Sequence, residues 1–175
     1  MKLNKPLNIC LVTQQYGEVR SGIGIHARIM VEGLIRAGHK VTVICPNGSI
    51  KQKKGVNFVF VKKCLIDPSA GKWLSLSYKF SKKIKELQKD KKFDIIHFTD
   101  ARESLFCSKN LPVIGNMNDV YYAMASKNPF FYKRYYYDWL KRYLYYNLVK
   151  FLEKRALHKL SAIICNSKFV KLTLN

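Results

Sequence analysis

A chain that opens with a strand, a glycine turn and a helix has few folds open to it. Leu7-Asn8-Ile9-Cys10-Leu11-Val12-Thr13 is a continuous apolar run of strand length. A polar loop follows, then Ser21-Gly22-Ile23-Gly24-Ile25-His26. Ile23, Ala27, Met30, Val31, Leu34 and Ile35 then recur at helical spacing. This order brings a backbone with small residues to a helix N-terminus, where an anionic group can approach closely. Gly38 follows as a helix C-cap, and Lys40-Val41-Thr42-Val43-Ile44-Cys45 is a β-branched strand stopped at Pro46-Asn47-Gly48. Strand, helix and strand at this spacing form a right-handed βαβ crossover.

The rest of the chain repeats that alternation. Val56 to Val61 is a third strand behind a Lys-rich turn, the character of an edge strand. Residues 64–71 read as loop, with Asp67-Pro68 as a turn signal. Trp73, Leu76, Phe80, Ile84 and Leu87 make a helical stripe with lysines opposite. Gly71-Lys72 lacks the second glycine and the preceding strand of a phosphate loop. Phe93 to Phe98 is a fourth strand, Arg102 to Ser108 a short helix, and Pro112 to Gly115 a fifth strand. After Asn128-Pro129 the pattern is helical to about Leu160. Ala162-Ile163-Ile164-Cys165 is a sixth strand, and Asn166-Ser167 caps a last short helix. The fold class expected is α/β: a Rossmann-like, doubly wound, mostly parallel sheet with helices on both faces. Residues 1–175 are long enough for one such domain and short for two.

Charge narrows the partners. Lys+Arg number 32 against 11 Asp+Glu, a net +21, which favours polyanions, phosphorylated ligands or an anionic membrane surface over basic partners. Lysines spread over solvated faces account for part of this excess. No apolar run approaches the roughly 18 residues that span a bilayer. The five cysteines, Cys10, Cys45, Cys64, Cys107 and Cys165, form no CxxC pair and match no zinc spacing. Their odd count, without a secretory signal, points to a reducing cytoplasm.

Candidate site residues follow from position. Polar residues at strand C-termini are where doubly wound sheets bind ligands, which selects His97, Asp100, Asn118 and Asp119. The turn Ser21, Gly22, Ile23 and Gly24 faces its ligand with backbone N–H groups and a helix dipole. Each has a plainer role: a tight turn, a hydrogen-bonded core histidine, a turn cap. As a dinucleotide fingerprint Gly22-Ile23-Gly24 fails, because Cys45-Pro46-Asn47 stands where an acidic residue should end the second strand. His26 and His39 read as structural. The aromatic-basic stretch from Phe130 to Lys150 suits base stacking, a bilayer surface or a buried seam; its nearly circumferential apolar pattern favours the seam.

Taken together, these segments resemble the N-terminal domain of the family-4 retaining glycosyltransferases. The likeness rests on Ser21 to His26, Leu34 to Val43, Phe93 to Phe98, Pro112 to Asp119, Phe151 to Leu157 and Ser161 to Ser167, in the family's order. It implies the acceptor-side half of a two-domain GT-B enzyme that moves a sugar from a nucleotide-sugar donor with retention. No cofactor and no metal are implied. Ser21, Gly22, Ile23 and Gly24 would face the donor diphosphate, and His97, Asp100, Asn118 and Asp119 the acceptor. The acceptor expected is a sugar, a lipid-linked species or a phosphorylated one, at the inner face of a membrane. The nucleotide-binding half is expected beyond Asn175, and the chain alone is expected to transfer no sugar. Two departures stand out: Ser21-Gly22 replaces the usual glycine pair, and Asn118 replaces a histidine that could act as a base. The rivals are a non-catalytic nucleic-acid or polyanion-binding domain that uses the tyrosine-rich helix, and a nicotinamide-dependent oxidoreductase.

Overall fold

The computed structural model describes residues 5–16, 22–46, 55–62, 73–118, 120 and 139–174. Six strands, β1 (Asn8–Val12), β2 (Lys40–Pro46), β3 (Val56–Val61), β4 (Ile95–Phe98), β5 (Val113–Met117) and β6 (Ala162–Cys165), form one sheet in the order β3-β2-β1-β4-β5-β6. Every pairing is parallel. The helices are α1 (Gly22–Arg36), α2 (Trp73–Leu87), α3 (Trp139–Leu157) and α4 (Lys168–Leu174), with a 3-10 turn at Ala101–Ser104. This is the doubly wound α/β architecture expected, and β3 is the edge strand expected. The chain leaves β1 for β2 on one side and reaches β4 on the other. A crevice therefore opens at the carboxyl ends of β1 and β4.

Alternation along the strands assigns the two faces. Leu11, Val41, Val43 and Cys45 point to one face and meet Ala27 and Val31 of α1. Cys10, Val12, Ile44, Ile96, Phe98 and Val113 point to the other and meet Leu76, Phe80 and Ile84 of α2. Helix α1 ends as its sequence indicates. Gly38 takes φ +84°, its N–H donates to Ile35 O at 2.9 Å, and His39 N–H donates to Leu34 O at 3.0 Å. That pairing is a Schellman cap, which a residue with a Cβ closes only with strain.

Helix α3 packs Val149, Leu152 and Ala156 against Trp73 and Leu105. This stripe belongs to the domain's own core, and the helix is not buried all round: Leu148 and Phe151 are more than half exposed. Residues 130–138 of the tyrosine-rich stretch lie outside the described residues. Two element ends differ from expectation. The segment from Arg102 to Ser108 forms only the 3-10 turn, capped by the Asp100 side chain accepting from Arg102 N–H. Strand β5 runs to Met117, so Asn116 lies within the sheet instead of after it.

The 3-10 turn sits directly on β5. A Cβ built at Gly115 would lie 2.9 Å from Ala101 Cα and 3.1 Å from Ala101 Cβ. Only glycine allows that approach. Among the described cysteines, Cys10, Cys45 and Cys107 are buried free thiols, and Cys165 is partly buried. No helix among the described residues is long and apolar enough to cross a membrane.

Candidate functional site

At the carboxyl ends of the strands a cleft of about 350 Å³ is lined by Gly22, Ile23, His26, Thr99, Asn116, Asn118, Ile164 and Asn166. Its floor is the end of β4, β5 and β6; its wall is the first turn of α1. That turn contains no acidic residue, so nothing within it offsets the positive end of the helix dipole. A larger groove of about 750 Å³, bordered by His39, Lys40, Asn57 and Lys91, opens at the opposite end of the sheet. Doubly wound sheets hold ligands at the carboxyl end, so the smaller cleft is the candidate site.

Register builds the polar floor. His97 pairs with Ile114 across β4 and β5, so Asn116, two residues on, shares the His97 face. The Asn116 amide bridges two imidazoles. Its Oδ1 lies 2.8 Å from His97 Nε2, and its Nδ2 lies 2.9 Å from His26 Nε2. His97 and Asn116 are buried, whereas His26 is exposed on α1. Burial pushes the His97 imidazole below its ordinary value, the Asn116 hydrogen bond works against this, and neighbouring His26 adds to the lowering.

The rim is tied down by amides. Asn118 Nδ2 donates to Thr99 O at 3.0 Å, and Asn166 Nδ2 donates to Asn118 O at 3.2 Å. Thr99 is 1 % exposed and its hydroxyl has no partner among the described residues. A buried hydroxyl without a partner is costly.

The residues picked from sequence therefore fall into groups. Gly22, Ile23 and Asn118 line the cleft. His97 sits behind Asn116, and Gly24 is buried in the packing face of α1. Asp100 turns away into an ion pair, its Oδ2 2.6 Å from Arg102 Nη2. Ser21 and Asp119 lie outside the described residues. Beneath that ion pair, fully buried Glu103 is pushed well above the ordinary carboxyl range by desolvation and then by the Asp100 charge.

Sequence reasoning missed His26, Thr99, Asn116, Ile164 and Asn166. His26 carried one usable signal: with Gly22 and Ile23 it sits on the first turn of α1, at i, i+1 and i+4. Reading it as structural is corrected by its place in the cleft wall. Among the described residues no cluster of three His, Cys, Asp or Glu side chains could hold a metal ion.

No curated protein matches the chain. The family model for Glycosyltransferase Family 4 matches residues 20–175, which take in every element from α1 to α4. The chain therefore belongs to glycosyltransferase family 4, as a glycosyltransferase N-terminal domain.

Proposed function

We propose that this domain is the acceptor-binding half of a two-domain GT-B enzyme that transfers a sugar from a nucleotide-sugar donor with retention. The observation that carries the reading is the cleft itself: polar strand ends facing a helix N-terminus whose first turn holds no acidic residue, across about 350 Å³. Gly22 and Ile23, with their neighbour Ser21, are assigned to the donor diphosphate, where backbone N–H groups and the dipole favour negative charge. Asn118 and Asp119, with His97 behind, are assigned to the acceptor. In this reading neither a cofactor nor a metal takes part. The net charge of +21 favours a lipid-linked or phosphorylated acceptor, handled at the anionic inner face of a membrane.

The test uses this domain joined to its nucleotide-binding half. The protein is incubated with a panel of nucleotide sugars and with lipid-linked and phosphorylated acceptors. A glycosylated product with the donor's anomeric configuration is expected, and an inverted product overturns the retaining assignment. Turnover by the 1–175 chain alone overturns the division of labour between halves. Flotation on liposomes should strengthen with anionic lipid, and indifference to lipid charge removes the membrane.

A further inference from the structure

Asn116 stands between two histidines from distant parts of the chain, and an amide imposes opposite roles on them. Its oxygen only accepts and its nitrogen only donates. A ring nitrogen facing the oxygen must carry a hydrogen, and one facing the NH₂ must not. With Oδ1 on His97 Nε2 and Nδ2 on His26 Nε2, His97 is protonated at Nε2. His26 is then bare at Nε2, and its neutral ring holds its hydrogen on Nδ1. We propose that Asn116 is a positioning residue that fixes His26 in the Nδ1–H tautomer, so that the cleft wall offers a hydrogen-bond donor to a ligand oxygen. The oxygen is that of a hydroxyl or phosphate group, and the assignment rests on the cleft being the acceptor site.

The arrangement differs from a simple tie between α1 and β5. A tie would hold with any tautomer, whereas the amide forces opposite roles on the two rings, and with its oxygen toward His97 only the Nδ1–H form of His26 fits. The lock depends on a partner that stays put, and both its inner members are buried: Asn116 at 5 % and His97 at 7 % exposure. The outer ring is exposed and lines the cleft beside Thr99, whose hydroxyl has no partner among the described residues. A free histidine in water mixes its tautomers, so the lock removes a choice that would otherwise be made during binding.

Long-range ¹H–¹⁵N correlation on the labelled 1–175 chain tests the lock without substrate. His97 should show the Nε2–H pattern and His26 the Nδ1–H pattern, while exposed His158, outside the cleft, serves as the freely mixing control. A His26 that mixes its tautomers, or that carries its hydrogen on Nε2, overturns the proposal. In N116D the carboxylate accepts from both rings, so His26 should convert to Nε2–H; an unchanged His26 overturns it as well. Should N116D fail to fold, as amide dispersion would reveal, the wild-type pattern decides alone.

In the complete enzyme, N116D should raise the acceptor KM by about tenfold, the loss of about one hydrogen bond. An unchanged KM overturns the donor role. Tautomers locked as described, with no transfer to any acceptor, would sink the transfer reading and leave the lock. Transfer with a freely mixing His26 would do the reverse.

Discussion

Strands β4 and β5 present two unlike surfaces one residue apart. Ile96, Phe98 and Val113 face α2 in a dry core, and Gly115 shares that face beneath the 3-10 turn. His97 and Asn116, on the opposite face, build a hydrogen-bonded floor that opens to solvent beyond His26. The same short strands thus serve stability on one side and chemistry on the other, because side chains alternate with a period of two. The packed face tolerates little change in volume, and the open face tolerates little change in hydrogen-bond direction.

Substitutions can test that division. The largest effect expected is Phe80→Ala, which empties the centre of the packed face and should cost about 3–5 kcal/mol in chemical denaturation. A loss under about 1 kcal/mol would mean that the face is not close-packed. Gly115→Ala should cost about 1–3 kcal/mol, since the new methyl lands 2.9 Å from the Ala101 backbone. Unchanged stability would show that the 3-10 turn rides freely on β5.

Two titrations sharpen the comparison. Glu103 keeps its proton in the fold to higher pH than when unfolded, so the folded state binds more protons between the two values. Its stabilising contribution is whole below the ordinary carboxyl pKa and is lost as pH rises through the raised one. Glu103→Gln should therefore be more stable than wild type above that window and level with it at low pH. His97 behaves in the opposite sense. Its imidazole is lowered in the fold, so stability falls as pH drops below the ordinary value of 6.5. His97→Gln should remove that acid-side loss, and a persisting loss would place it on another group. The smallest effect on stability belongs to exposed His26→Ala, about 1 kcal/mol for the lost hydrogen bond to Asn116, although acceptor binding should suffer.

Much of the fold was legible because its signals are local. The β-branched run at Val41–Cys45, the stripe at Trp73–Leu87 and the Gly38 cap each depend on neighbours a few residues away. The edge position of β3 could be read from its lysine-rich approach. The site was legible only in part, since its geometry depends on register. His26 reads as one more polar residue on an amphipathic helix until β5 brings Asn116, 90 positions later, to its ring. Asn116 reads as a strand terminator, because asparagine is common in turns, until a buried partner at His97 accounts for it in the sheet. Asp100 shows the reverse. Its place after β4 suits a ligand, but Arg102 lies two residues on and takes its carboxylate.

The buried cysteines bear on how the protein meets oxidants. Desolvation pushes Cys45 up to about 12 and Cys107 up to about 11, and Cys10 higher still. At pH 7 a thiol at about 11 is ionised roughly once in ten thousand. Thiolate is the species that oxidants and alkylating reagents attack, so these three sulfurs are inert while the sheet is closed. Their reduced state follows from the fold and would persist in an oxidising solvent. Their modification by a thiol reagent would instead clock the opening of the sheet, making the native cysteines a built-in probe of unfolding.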